Sequence, residues 1–139
     1  MPGFELINNA EVKAVNSIFK NGGVLFAHGF EKIRKNFHVR EFEKKLNSYF
    51  KCKYSLAVTS GTAAIKIALK AVNVKPGDEV ITQAFNFIAT IEAIIDVGAR
   101  PILVNVDETL NMDVLDLKKK LQRKQKLFYL FICLGFHVI

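Results

Sequence analysis

The sequence predicts an α/β fold in which a mostly parallel sheet is flanked by helices. Three short apolar runs, at residues 56–59, 79–82 and 101–106, have the length and composition of buried strands. They alternate with longer segments of helical period, at spacings that suit β–α–β crossovers. Hydrophobic residues make up 50% of the 139 residues and charged residues 24%. The chain can therefore bury a core, and its composition is not that of a disordered protein.

The segments of helical period predict five helices. In the first, apolar residues recur at helical spacing from Val12 to Phe19, and Asn21-Gly22-Gly23 marks its end. Turn residues separate the later elements, because Pro76-Gly77 precedes the second strand and Gly98 is placed to end the fourth helix. The predicted helices cover residues 10–20, 39–50, 62–73, 87–97 and 113–121.

The net charge of +7 comes largely from one basic segment, residues 118–126. This segment holds six of the 20 Lys and Arg residues, and the rest of the chain carries 14 basic residues against 13 acidic ones. No interleaved aromatic residues or nucleic-acid-binding motif accompany it. We therefore interpret it as a solvated helix end and expect no nucleic-acid partner.

The cysteines and the two ends of the sequence indicate which cellular compartment to expect. Cys52 and Cys133 match no metal-binding spacing, which indicates free thiols in a reducing cytoplasm and no metal site. The N-terminus lacks a basic region followed by an apolar run, so we expect no secretory signal. Residues 127–139 are almost wholly apolar but too few to span a bilayer as a helix. A buried strand, a membrane-associated tail and an abnormal segment are the alternatives for this tail, and no membrane partner is expected.

The Ser60-Gly61-Thr62 corner lies between a predicted strand and a predicted helix. The first N–H groups of a helix are free to bind an anion, above all a phosphate, and the helix dipole favours negative charge there. Gly61 would allow close approach of a ligand, and the Thr62 hydroxyl could donate to it. An ordinary N-cap explains Ser and Thr here equally well. The corner lacks the Gly-Lys-Ser/Thr ending of a P-loop.

The sequence around the corner resembles the DegT/DnrJ/EryC1/StrS family of pyridoxal-phosphate-dependent aminotransferases, which act mainly on nucleotide-linked keto-sugars. The resemblance covers roughly residues 5–126, and several short motifs occur in the family's order. These are Ser60-Gly61-Thr62-Ala63-Ala64, Pro76-Gly77-Asp78-Glu79-Val80, Phe85-Asn86-Phe87-Ile88-Ala89-Thr90, Gly98-Ala99-Arg100-Pro101 and Val106-Asp107.

The resemblance implies a site as well as a fold. The fold would be part of the large domain of a fold-type I transferase, and the cofactor would be pyridoxal 5'-phosphate. Gly61, Thr62 and the Ala63 amide match positions that hold the cofactor's phosphate, and Phe87 matches the aromatic residue that stacks on its ring. Phe85 is expected in the core. Two alternatives stay open for Asp107, a site residue and a turn residue at a strand end, and His28 and His38 are expected in loop or core roles.

The resemblance also implies partners and missing parts. Intact relatives take a nucleotide-linked keto-sugar and an amino donor, commonly glutamate, supply lipopolysaccharide and other polysaccharides, and form homodimers. The lysine that forms the Schiff base with the cofactor lies further along the family's chain, so no catalytic residue is predicted here. Residues 1–126 would be the N-terminal part of the large domain, without the lysine region and the small C-terminal domain, and the fragment is expected to be inactive alone.

The apolar tail departs from the family near Lys124. Residues 124–139 can be back-translated, with permitted codons, into a DNA sequence. A neighbouring reading frame of that DNA encodes a segment of the family type. We therefore hypothesise a shifted reading frame, which the sequence of the gene would test. The alternative function is a truncated phosphate-binding or interaction module that pairs with a full-length relative.

Overall fold

The computed structural model describes residues 4–26, 29–121 and 127–129. The chain forms two compact units, Met1–Ala57 and Val58–Ile139. The first unit contains only helices and loops among its described residues, and the second contains the sheet. The α/β class and the parallel pairing predicted from the sequence are confirmed.

The first unit consists of a short 3-10 helix (Phe4–Leu6) and two amphipathic helices, α1 (Asn9–Lys20) and α2 (His38–Phe50). A capping box starts α1, in which the Ala10 N–H donates to the Asn8 side chain (2.9 Å) and the Asn8 N–H donates to the Glu11 carboxylate (2.7 Å). Both helices agree with the prediction to within one residue. Neither buries a residue, and Arg34 is the single buried residue among those described in this unit.

The second unit alternates helices and strands. The elements are α3 (Gly61–Ala71), β1 (Glu79–Gln83), α4 (Ile88–Asp96), β2 (Arg100–Val104), α5 (Val114–Leu121) and β3 (Leu127–Tyr129). The three described strands pair in parallel, in the order β2-β1-β3. The central strand β1 is buried along its whole length, as expected for a parallel strand with neighbours on both sides.

The apolar core lies where α3 and α4 cover the start of the sheet. Its members are buried side chains from the ends of both helices, from β1 and from the connecting turns: Leu69, Val74, Val80, Ala93, Ile94, Val97 and Ala99. Gly98 ends α4 as predicted, with a φ of 80°. The Gly98 N–H donates to the Ile95 carbonyl (2.8 Å) and the Ala99 N–H to the Ile94 carbonyl (3.1 Å), the two hydrogen bonds of a Schellman motif.

One predicted strand is wrong. Residues 56–59 are irregular, and Leu56 is exposed. A strand needs the hydrogen bonds of a neighbouring strand, and residues 56–59 pair with none of the three described strands. The third predicted strand is shorter than expected, ending at Val104, and Val106 instead forms an isolated antiparallel bridge with Met112.

The apolar tail begins as a strand. Leu127–Tyr129 forms β3, and its three residues pair with Glu79, Val80 and Ile81 of β1. The alternative was a buried strand, and its strand character is confirmed for these three residues by the pairing with β1. The rest of the tail, Cys133, His28 and most of the segment that carries the reading-frame hypothesis lie outside the described residues. Within residues 4–26, 29–121 and 127–129, no helix has the length and apolar character needed to cross a membrane.

Asp116 connects α5 to the edge strand β2. Its carboxylate accepts from the Asn105 N–H (2.8 Å) and from Lys120 Nζ (2.8 Å), and Lys120 also donates to the Leu103 carbonyl. The hydrogen bond from the Asn105 N–H, followed by that from Lys120, lowers the pKa of Asp116 below its ordinary value. Because the folded pKa is the lower one, this stabilisation is present above the ordinary aspartate range. It is lost as the pH falls through the folded pKa.

We expect the Asp116→Asn variant to lose part of the acid sensitivity of folding. As the pH is lowered below the ordinary aspartate range, the free energy of unfolding of the wild-type chain should decrease. The slope of the free energy of unfolding against pH should be smaller in the variant. Urea unfolding at a series of pH values measures both slopes. Glu108→Gln, which removes an exposed carboxylate, is the control and should keep the wild-type slope. Identical slopes for Asp116→Asn and wild type would contradict the role given to Asp116.

Candidate functional site

The helix starts of the second unit meet the carboxyl end of the sheet. The core joins the late residues Leu69 of α3 and Ile94 of α4 to Val80, near the start of β1. The opposite ends of both helices therefore lie toward the end of β1. In open α/β folds, ligands bind at this end of the parallel sheet, beyond the carboxyl ends of the strands. The Ser60-Gly61-Thr62 corner and Phe87 both stand at these helix starts.

The corner has the geometry of an N-cap with room in front of it. Ser60 is extended, with φ −158° and ψ 160°, and its side chain accepts from the Ala63 N–H (3.1 Å). A Cβ built on Gly61 would meet nothing within 4 Å. The N–H groups of Gly61 and Thr62 precede the first intrahelical hydrogen bond, donated by Ala64 to the Ser60 carbonyl (3.0 Å). These two groups suit an anion.

Ala63 differs from the other two amides predicted to hold a phosphate. Its N–H is already used by the Ser60 cap, so it would reach a ligand only if the Ser60 side chain turned away. The structure thus agrees with the N-cap interpretation, in which the Ser60 side chain caps α3. The anion-binding roles of Gly61, Thr62 and Ala63 remain predictions, and the open space and the two available N–H groups fit a phosphate.

Phe87 occupies the N-cap position of α4, and 62% of its surface is exposed. Its N–H donates to Asn86 Oδ1 (2.7 Å), while Asn86 Nδ2 donates to the hydroxyl of Thr82 (3.2 Å), which is fully buried at the end of β1. Asn86 thus holds the turn that carries the ring. An exposed flat ring beside a helix start is compatible with stacking on a planar ligand, which remains a prediction.

The sequence analysis missed Asn86 and Thr82 and misplaced Phe85. Phe85 is 46% exposed rather than in the core, because it lies in the turn beyond the end of β1, where none of the described helices and strands covers it. The Gln83 side chain donates to the Phe85 carbonyl (2.7 Å) and braces the same turn. Polar residues at the end of a buried strand were the signal that could have identified Thr82, Gln83 and Asn86.

Asp107 organises the turn after β2. Its Oδ1 accepts from the Thr109 N–H (2.9 Å), the Thr109 hydroxyl (2.6 Å) and the Asn111 N–H (3.2 Å). The hydrogen bond from the Thr109 hydroxyl is the main cause of a lowered pKa for Asp107. The structure therefore favours the turn alternative. His38 starts α2 as an exposed residue, with Nδ1 3.9 Å from the Glu41 carboxylate.

This arrangement can bind but contains no evident catalytic acid, base or metal centre. It offers backbone N–H groups, a hydroxyl and an exposed ring at one edge of the sheet. Among the residues that the structure describes, no group of three or more His, Cys, Asp or Glu side chains could hold a metal ion. The site suits a ligand that joins an anionic group to a flat ring.

Comparison with known proteins gives the family. The profile of the DegT/DnrJ/EryC1/StrS aminotransferase family matches residues 9–131. The spore coat polysaccharide biosynthesis protein SpsC of Bacillus subtilis (strain 168) is 35% identical over 122 residues, which are 87% of this chain and 29% of SpsC. The GDP-perosamine synthase of Escherichia coli O157:H7 is 38% identical over 93 residues, which are 66% of this chain and 26% of that protein.

Solved structures share the fold. The PLP form of Spr1654 from Streptococcus pneumoniae, described as a sugar aminotransferase, superposes with a TM-score of 0.73 at 29% identity, over 88% of this chain and 30% of its own. The GDP-4-keto-6-deoxy-D-mannose-3-dehydratase of E. coli, with hydrated PLP, gives 0.68 at 26% identity, over 87% and 31%. This chain spans less than a third of the length of each of these four proteins. Because the family profile covers most of its residues and the fold agrees, the chain belongs to the DegT/DnrJ/EryC1/StrS aminotransferase family.

Proposed function

We propose that this chain is the N-terminal part of the large domain of a pyridoxal-phosphate-dependent nucleotide-sugar aminotransferase. The observation that carries the proposal is the Ser60-Gly61-Thr62 corner, an open helix start at the carboxyl end of a parallel sheet, in a chain of this family. In the proposal residues 1–126 belong to that domain. The names of the relatives, among them a UDP-keto-sugar aminotransferase of Pseudomonas aeruginosa and GDP-perosamine synthases, support a nucleotide-linked keto-sugar as the substrate.

The chain's own residues would bind and orient the cofactor. Gly61 and Thr62 would donate their N–H groups to the phosphate, and the partial positive charge of the α3 start would add to this attraction. Phe87 would cover one face of the ring, and Asn86 would keep Phe87 in place through its two hydrogen bonds. Bound pyridoxal phosphate would supply the electron sink that amino-group transfer requires.

Catalysis would need groups that this chain does not provide. The chain spans less than a third of its relatives, and the lysine that reacts with the cofactor in the family is expected in the remainder. We infer that the isolated chain is inactive, and that the amino donor site, the sugar site and the homodimer belong to the whole protein. Pairing with a longer relative remains the alternative for the chain by itself.

A second candidate reaction comes from the solved structures. The dehydratase of E. coli is nearly as similar to this chain as the sugar aminotransferase is, with TM-scores of 0.68 and 0.73. Both bind PLP according to their descriptions, so a deoxygenating enzyme would need the same phosphate corner and aromatic ring. The residues of this chain favour cofactor binding in either case.

The binding role of the corner can be tested with pyridoxine 5'-phosphate. This ligand has the ring and phosphate of the cofactor but no aldehyde, so it cannot react with the chain's many lysines. Equilibrium dialysis of the full chain should give weak, saturable binding. Thr62→Ala keeps the backbone N–H but removes the hydroxyl, which would also donate to the phosphate, and this loss of a hydrogen bond to a charged group should weaken binding about tenfold. Pyridoxine without the phosphate should bind far more weakly.

The matched control is Thr59→Ala. Thr59 is an exposed threonine immediately before the corner, and its side chain has no role in the proposed phosphate site. It should leave the affinity for pyridoxine 5'-phosphate within about twofold of the wild-type value. Equal affinities for the phosphorylated and unphosphorylated ligands, or equal losses in the two variants, would reject the corner as the phosphate site.

A further inference from the structure

The strand β2 directs half of its backbone groups away from β1. The Arg100 N–H donates to the Asp78 carbonyl (2.8 Å) at the start of the strand. The Val104 carbonyl accepts from the Ala84 N–H (2.7 Å) at its end, so the even-numbered residues face β1. Because successive residues of a strand alternate in direction, the odd-numbered residues of 101–105 direct their hydrogen-bonding groups to the outer side. None of the described strands lies on that side.

Side chains of α5 and the residue before it occupy the end of this outer edge. The Leu103 carbonyl accepts from Lys120 Nζ. The Asn105 N–H donates to the Asp116 carboxylate (2.8 Å), and the Asn105 carbonyl accepts from the Asp113 N–H (2.8 Å). Lys120 also donates to Asp116 (2.8 Å), and with 26% and 16% of their side chains exposed the two are held more firmly than a surface ion pair. A new strand would have to displace these contacts.

Pro101 closes the beginning of the same edge. Its nitrogen carries no hydrogen, so the first outward position of β2 cannot donate to a neighbouring strand. Together with the contacts at Leu103 and Asn105, this leaves at most two outward groups to a further strand, the Pro101 carbonyl and the Leu103 N–H. The edge therefore lacks the row of unpaired groups on which strand addition depends.

Without these contacts β2 would be a favourable template for another strand. Leu103 lies within the strand, yet 47% of its surface is exposed. An apolar, exposed edge strand invites pairing with another chain, and natural proteins counter this with charged side chains and proline at the edge. A second copy of this chain offers the same edge, so a two-fold axis at Leu103 would pair two β2 strands antiparallel.

From this arrangement we propose that Asp116 and Lys120 form an edge lock, which keeps β2 at the end of the sheet and prevents edge-to-edge dimerisation. The partner that the edge lock excludes is a second copy of this chain, paired through residues 101–105. Opening it frees the Leu103 carbonyl and the Asn105 N–H, two of the groups that the antiparallel partner would use. The proposal does not depend on the proposed function, because it rests only on β2 and α5.

Disulfide trapping tests the edge lock on the full chain, fused to a monomeric soluble carrier and carrying Cys52→Ser and Cys133→Ser. In an antiparallel β2 pair centred on Leu103, the two Leu103 Cα atoms would lie about 5.5 Å apart, a separation that a disulfide spans. Leu103→Cys therefore reports edge pairing. Under mild oxidation, Asp116→Ala/Lys120→Ala should form the cross-linked dimer at least roughly tenfold faster than the chain with the edge lock intact.

Two controls distinguish edge pairing from general association. Ile95→Cys places the reporter at another exposed apolar residue of the second unit, and its cross-linking should not rise when the edge lock is removed. Glu108→Ala/Lys118→Ala removes the same two charges from exposed residues of the preceding turn and of α5. It should leave the cross-linking rate of Leu103→Cys within about twofold of its starting value.

Lys120→Met keeps the test decisive if the double variant loses its helical circular dichroism signal. Methionine retains an apolar stem but cannot donate to the Leu103 carbonyl, so cross-linking of Leu103→Cys should rise at least roughly threefold. Equal Leu103→Cys rates with and without a folded variant's edge lock would overturn the proposal. So would an equal rise at Ile95→Cys in such a folded variant.

Discussion

Replacing Ile94 with alanine is expected to destabilise the second unit by about 3 kcal/mol, within the range found for large-to-small substitutions in protein cores. Ile94 has no exposed surface and lies among the side chains that join α3, α4 and β1. Its truncation removes buried apolar surface and leaves a cavity that a small core cannot close. Urea unfolding followed by circular dichroism should show a lower midpoint, or no folded baseline.

The next residue provides a matched control for this prediction. Ile95 has the same side chain on the same helix, but 58% of its surface is exposed. Ile95→Ala should cost less than about 1 kcal/mol, because little surface leaves the core and alanine is a better helix former. If both variants unfold at the same urea concentration, the core does not lie where α4 meets β1.

A chimera should recover the activity that the isolated chain is expected to lack. Residues 9–126 of this chain would replace the matching segment of SpsC from Bacillus subtilis, which supplies the remaining part of the protein. We expect the chimera to convert its cofactor between the PLP and PMP forms with L-glutamate, as followed by absorbance. The isolated chain should be slower by at least roughly 10³-fold, because the proposal assigns the reactive lysine and its proton transfers to the remaining part of the protein.

Variants within the chimera test the aromatic position. Phe87→Ala should weaken cofactor retention about tenfold through loss of ring stacking, whereas Phe85→Ala should have less than a twofold effect. Unmodified SpsC is the positive control for folding and assay. Conversion by the isolated chain at the rate of the chimera would show that the missing region is not needed. A folded chimera in which Phe85→Ala and Phe87→Ala have equal effects would reject the stacking role.

Local sequence patterns predicted the helices well. The period of Val12 to Phe19 and the stop at Gly22 define α1, and Gly98 ends α4, because helical hydrogen bonds and caps connect residues that are near in sequence. The strand that became β1 was also identifiable, since an apolar run after a Pro-Gly turn has few other outcomes. Such features depend on neighbours within about five residues.

Strand pairing was harder to predict. Residues 56–59 are as apolar as β1, yet they form no strand, because pairing depends on which other segments lie beside them. The exposure of Phe85 has a similar origin, since its hydrophobicity says nothing about whether an element will cover the turn after β1. The hydrogen bonds of Asn86 to Phe87 and Thr82 also depend on the path of that turn.

Some features of the candidate site were predictable from the sequence, and others required the structure. The composition of Ser60-Gly61-Thr62 and its place before a helix identified an anion corner or an N-cap, and the motifs around it identified the family. Only the structure shows that the Ser60 side chain uses the Ala63 N–H and that open space lies before Gly61. The carboxylate of Asp107 likewise proved to hold its own turn.

The sequence by itself determined the α/β class, the positions of the five helices, the family and the corner, because these follow from periodicity, caps and motifs within short stretches of chain. The tertiary structure alone decided that the order of strands is β2-β1-β3 and that the starts of α3 and α4 lie at one edge of the sheet. It also decided that side chains of α5 occupy backbone groups at the outer edge of β2. These properties arise from contacts between residues distant in sequence, whose free energies depend on burial and packing that no local pattern records.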